Sequence, residues 1–150
     1  MHVDVNKIFG LFGGEDKNPK HDSDNNQDMS YLLEDYKQHP MFWVGMFKKL
    51  IYNHKVFNAK VLNSFKDLDG ELDMNDVENA GEFIMYNRAW YWINKIDIKE
   101  TLHQNALTHY ADEILLTYTK VIILYFQELE EYEKCAHLKK IQDFLESILK

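Results

Sequence analysis

The sequence predicts an all-α protein, a single bundle of four or five helices behind a flexible N-terminal segment. Three observations predict it. From Met29 onward, apolar residues recur mostly at spacings of three and four, the period of one helix face. No strand-length stretch alternates cleanly between apolar and polar residues, and no hairpin turn signal flanks one. The C-terminal third, Leu102–Leu149, keeps its helical pattern without a Gly or Pro.

A chain of 150 residues is long enough for one domain with a real core, and 45% hydrophobic with 14% aromatic content supplies the material. Residues 1–28 read as the flexible segment and 29–150 as the helical domain. The net charge is −8, from 17 Lys and Arg against 25 Asp and Glu, which opposes the basic field that phosphate binding needs. Duplex nucleic acid is therefore not expected as a direct ligand. A protein partner or a second copy of the chain fits better. The lone Cys135 cannot close an intramolecular disulfide, which fits a reducing interior. Met1–Phe12 carries Asp4 and lacks the long apolar core of a secretory signal, so a cytoplasmic protein is expected. The Asn-, Lys- and Ile-rich composition resembles that of small proteins of large tailed phages, which implies a host cytoplasm or a virion as the setting.

The first apolar cluster is Ile8, Phe9, Leu11 and Phe12. It precedes Gly13–Asp28, a stretch of Gly, Asp, Asn, Lys, Ser and Pro that reads as a linker. Two readings stay open for the cluster: a docking peptide for a partner, or a segment that folds back on its own domain. Met29–Lys37 is a short helix candidate capped by Asp28 or Ser30 and stopped by His39-Pro40. Pro40 suits the first turn of a longer helix that runs to about Phe65. Trp43, Phe47, Leu50, His54, Phe57 and Val61 mark one of its faces, and Gly45 either weakens it or permits close packing.

Lys66–Asp73 has some of the pattern of a calcium loop. With Gly70 at the sixth position, Asp67 and Asp69 take the third and fifth, but Phe65 falls on the first and Asp76 on the twelfth. An ordinary acidic turn is the favoured reading. Asp73 then caps a helix through Val77, Ala80 and Ile84 to Ile93. Phe83, Tyr86, Trp90 and Ile93 form one stripe on it, and Met85, Ala89, Trp92 and Ile96 the adjacent one. Aromatic stripes at this spacing read first as core. The alternative is a stacking surface for nucleic acid made by Arg88, Trp90 and Trp92. Asp97–Glu100 reads as a capping box that starts the long C-terminal helix.

In that helix Leu107, Tyr110, Ala111, Ile114, Tyr118, Val121, Ile122, Tyr125 and Leu129 share a face. Thr108, Asp112, Glu113, Thr117 and Lys120 fall opposite. Val121–Phe126 is apolar all round, so it needs a second cover, either another helix or a partner. The apolar core Ile114–Phe126 is too short for a membrane span, with about 13 residues, Lys120 among them, against the roughly 20 that a bilayer needs. Leu138, Ile141, Leu145 and Ile148 set a second register. The glutamate-rich Glu128–Glu133 lies between the two without a breaker, so the pattern allows a hairpin or one long helix.

Glu131–Lys140, EYEKCAHLKK, resembles the UVR motif, a short antiparallel helical hairpin of the UvrB and UvrC repair proteins and of some Clp-protease regulators. In that resemblance Tyr132 is the aromatic residue of the cap, and Cys135 and Ala136 are the small pair that lets the helices approach. The segment departs from the family at Lys140, which replaces an acid, and at Ile141, which comes one position early. The resemblance implies a protein-docking hairpin without catalysis.

Candidate chemistry is sparse. His109 and Glu113 stand four residues apart near His103, but two ligands do not make a metal site, and neither HExxH nor a paired ExxH is present. Cys135 and His137 point to different helix faces. No glycine-rich phosphate loop or serine elbow occurs, and no cofactor is expected. The function expected is that of a non-catalytic adaptor or accessory protein. Its partner contacts are expected at Ile123, Leu124, Tyr125, Phe126 and Tyr132, and at Ile8, Phe9, Leu11 and Phe12. An accessory factor of a nucleic-acid-processing complex is the first alternative, and a weak calcium- or metal-binding helical protein the second.

Overall fold

The longest helix starts at a proline for a steric reason: Pro40 has no N–H to leave unpaired, and its ring presets a helical φ. The computed structural model describes residues 22–65 and 74–150, which form six helices and no strand. They are α1 (Asp22–Lys37), α2 (Pro40–Phe65), α3 (Met74–Ile93), α4 (Thr101–Tyr110), α5 (Glu113–Glu128) and α6 (Tyr132–Ile148). The all-α class holds for the described residues. Six helices replace the expected four or five.

The extra helix comes from a break in the expected run Leu107–Leu129. Ala111 turns extended (φ −61°, ψ 119°), and Asp112 (φ −157°, ψ 174°) accepts the Leu115 N–H through Oδ1 at 2.7 Å. Asp112 is therefore the N-cap of α5 and not an outward polar residue within one helix. Two further boundaries differ. Helix α1 begins at Asp22, so Asp22–Asp28 is helical where the sequence suggests a flexible segment. The capping box at Asp97–Glu100 does not form: Glu100 is the N-cap of α4 and makes no side-chain cap bond, while Asp97 Oδ1 accepts the Lys99 N–H at 3.0 Å in a turn. Ile8, Phe9, Leu11 and Phe12 and the loop with Asp67, Asp69 and Gly70 lie outside the described residues.

Helix α2 packs chiefly on α3, then on α4, and α5 packs on α6; lighter contacts of α2 with α5 and of α4 with α6 join these pairs. The buried line of α2 is Val44, Phe47 and Ile51. This corrects the face expected around Phe47, since Phe57 is 64% exposed. Where α5 meets α2, Lys55 Nζ lies 5.0 Å from the Tyr118 ring centroid, and Tyr52, Val56 and Phe57 remain exposed. Met85, Tyr86, Ala89 and Ile93 of α3, Ile122 and Phe126 of α5, and Leu138, Ile141 and Leu145 of α6 complete most of the core. Each fully buried Leu, Ile or Phe contributes about 1.5–3 kcal/mol. The aromatic helix is thus largely core on its inner side, with Phe83, Ile84 and Tyr91 exposed.

The turn from α5 to α6 needs no glycine or proline. Glu130 takes φ 59°, its N–H donates to the Gln127 carbonyl at 3.0 Å, and the Glu131 N–H donates to the Phe126 carbonyl at 2.9 Å. This is the Schellman pattern with a glutamate in the left-handed position that usually favours glycine.

Candidate functional site

The C-terminal residues expected to share a partner surface are separated by the fold. Phe126 is fully buried, under the edge of Trp90 with ring centroids 6.0 Å apart, so it is core and not contact surface. Tyr125 is half-buried and stacks on Tyr86 at 4.4 Å. Burial, followed by the Glu82 carboxylate and Tyr125, pushes the Tyr86 phenol up to about 12. Ile123 is half-buried against α6, where its carbonyl accepts a long contact of 3.6 Å from Cys135 Sγ. The second cover of α5 is therefore supplied by α3 and α6 of the same chain.

Leu124 and Tyr132 do remain in solvent, at 60% and 62% exposure. Of the residues one turn from Leu124, Lys120, Gln127 and Glu128 are exposed and polar and Val121 is half-buried, so little apolar surface adjoins it. A single apolar side chain on a polar face is ordinary protein surface. In the segment that resembles the UVR motif, Cys135 lies at the α5–α6 contact, whereas Ala136 faces solvent. Glu131 makes no cap bond and pairs instead with Lys134 at 2.6 Å.

Arg88, Trp90 and Trp92 make no common stacking surface. Arg88 is exposed, Trp90 meets Phe126 and, at 5.4 Å, His137, and Trp92 meets Phe42 at 5.1 Å. Side chains two apart on a helix diverge by about 200°. His109 and Glu113 are likewise not on one helix, because the break at Ala111–Asp112 falls between them. His103 Nδ1 already accepts the Asp97 N–H at 2.7 Å. Among the described residues no group of three or more His, Cys, Asp or Glu is placed to hold a metal ion, and no helix is long and apolar enough to cross a membrane.

What the sequence does not show is a groove of about 740 Å³ built where α1, α2 and the α4–α5 break converge. Helix α1 is pinned across α2 by the indole N–H of Trp43, which donates to the Lys37 carbonyl at 2.8 Å, and by the edge contact of Tyr36 with Phe42 at 5.4 Å. Met41, Phe42, Gly45 and Met46 of α2, Leu33 and Tyr36 of α1, and Tyr110, Ile114 and Tyr118 give it a largely apolar and aromatic lining. Gly45 is what lets α4 close in, because a Cβ there would stand 2.8 Å from the Tyr110 hydroxyl.

The polar side chains of the groove are Lys37, Lys48, Lys49, Asn53, His109 and Asp112, together with the tyrosine hydroxyls. The Tyr36 hydroxyl is buried beside the Tyr110 hydroxyl, close enough for the two to couple. Burial pushes both phenols above their ordinary value, and Tyr36 raises Tyr110 further. Lys37, Lys48 and Lys49 border the groove against a single acid, Asp112. Burial works against the Asp112 carboxylate, but Lys48 and the Leu115 and Ile114 N–H groups outweigh it and hold the carboxyl below its ordinary range. Four separate helices contribute, so no local pattern in the sequence could have announced the site.

No protein-family model matches the chain, and neither a curated protein nor a solved structure matches it.

Proposed function

We propose that this chain is a non-catalytic interaction protein, an adaptor or accessory subunit, that receives an apolar segment of a protein partner in the groove between α1, α2 and the α4–α5 break. The observation that carries this reading is the groove itself: an open concavity of about 740 Å³ whose surface is mostly apolar and aromatic. Three lysines and one aspartate border it in a chain of net charge −8, so the segment that fits best flanks its apolar residues with carboxylates. The α5–α6 pair that resembles a UVR hairpin is the less favoured contact, because Phe126 is buried, Ile123 and Tyr125 are half-buried against α6 and α3, and Leu124 has only the half-buried Val121 as an apolar neighbour one turn away.

Two variants and one assay test the proposal. Met46→Glu places a charge on the groove lining, and Lys49→Glu inverts the charge at its border. Both are expected to keep the helical circular dichroism of the parent and to abolish a stoichiometric protein complex, while Leu124→Asp leaves the complex intact. Loss of the complex in Leu124→Asp alone would return the contact to the C-terminal pair. Single-strand binding that weakens steeply with salt, with no protein complex, would support the nucleic-acid reading instead.

A further inference from the structure

A second feature lies at the end of α3, where one cation is enclosed by rings. Lys95 Nζ stands 4.4 Å from the ring centroid of Tyr91, 4.7 Å from Trp92 and 5.7 Å from Trp43. All three fall within the roughly 6 Å over which a ring face attracts a cation. Tyr91 and Trp92 meet at 81° with centroids 4.9 Å apart, giving two walls near a right angle, and Trp43 brings a third from α2. Among the described residues no carboxylate forms an ion pair with Lys95.

Two of the walls, Trp43 and Trp92, are held in place before any ligand arrives. The Trp43 indole is fixed by its bond to the Lys37 carbonyl and by the His103 ring at 5.4 Å and 89°, and that imidazole is itself fixed by the Asp97 N–H. Trp92 is set by Phe42 at 83°. The backbone beside Lys95 is anchored by buried Ile93 and Ile96, and Asn94 Nδ2 donates to the Trp90 and Tyr91 carbonyls at 2.8 and 2.6 Å.

A primary ammonium is an imperfect occupant of such a site. It is strongly hydrated and carries three N–H donors, which ring faces satisfy poorly, whereas an alkylated ammonium gives up less hydration and presents methyl groups to the rings. We infer that Trp43, Tyr91 and Trp92 form a binding site for an alkylated ammonium group, with Lys95 as the tethered resident that an incoming ligand displaces. The flexible stem of Lys95, beyond the last turn of α3, lets its head swing into solvent without moving the backbone. A methylated lysine side chain and a choline headgroup present the same chemistry to the cage.

Tetramethylammonium chloride titrated into the full chain, followed by tryptophan fluorescence against sodium chloride at matched ionic strength, tests the inference. Lys95→Ala should show a saturable change about tenfold tighter than the parent, and adding Tyr91→Leu, which keeps an apolar side chain at an exposed position, should weaken it by a similar factor. No saturable change in Lys95→Ala, or an identical one with Tyr91→Leu, overturns the site. A trimethyl-lysine peptide and phosphocholine, each titrated into Lys95→Ala, then distinguish the two sources by which binds more tightly. An unmodified lysine peptide binding as well as its trimethylated form would also overturn the assignment.

Discussion

Lys48 in α2 and Asp112 at the start of α5 form an ion pair across 64 residues of sequence, and the same carboxylate caps α5 by accepting the Leu115 N–H at 2.7 Å. One side chain thus ends the helical run, starts the next helix and ties it to α2. It also forms part of the groove lining.

Replacing that carboxylate separates its two roles. Asp112→Ala should cost about 1–2 kcal/mol through loss of the cap, with at most about 1 kcal/mol more from the partly exposed ion pair, whereas Asp112→Asn keeps most of the cap. Because the folded carboxyl is held below its unfolded value, the stability it contributes is fully present above about pH 4 and is lost as pH falls through the lower folded value. Urea denaturation of the parent and of Asp112→Asn from pH 7 to pH 2 should show a shallower acid loss in the variant. Parallel curves would show that the carboxylate does not contribute.

Glu130 sits at φ 59° in the turn after α5, where a side chain costs about 1–2 kcal/mol relative to glycine. Glycine also gains entropy in the unfolded chain, so Glu130→Gly should stabilise the protein by a net of about 0.5–1 kcal/mol. A β-branched residue there should do the opposite. Midpoints of thermal unfolding for Glu130→Gly and Glu130→Val that fall in the reverse order would refute the left-handed turn.

Neighbours in sequence should behave very differently on α5. Leu124→Asp is expected to change stability by no more than about 0.5 kcal/mol, since Leu124 is largely exposed. Phe126→Ala, two positions on and fully buried under Trp90, should cost about 3–5 kcal/mol. Chemical denaturation of the two variants decides the matter, and a large loss in Leu124→Asp would mean that α5 is rotated from the described orientation.

Taken alone, the sequence determined the features that depend on neighbours along the chain. Pro40 starts α2 and the periodic pattern carries it to Phe65, the aromatic helix ends at Ile93, and the absence of alternating stretches makes the described residues all helical. These follow from φ restriction, caps and a 3.6-residue period, all of which act within a few residues. Only the tertiary structure decided the rest. The break at Ala111–Asp112 joins a local cap to an ion pair with Lys48, so the carboxylate that looked like one more polar residue on an outer face became a helix start. Which side of α2 is buried was settled by where α3 and α4 cover it, and that left Phe57 exposed and Val44 in the core. The groove was illegible for the same reason. Its walls come from four helices whose meeting is governed by packing, and a contact such as Tyr110 against Gly45 exists only when residues far apart in the chain are brought together by burial of the core between them.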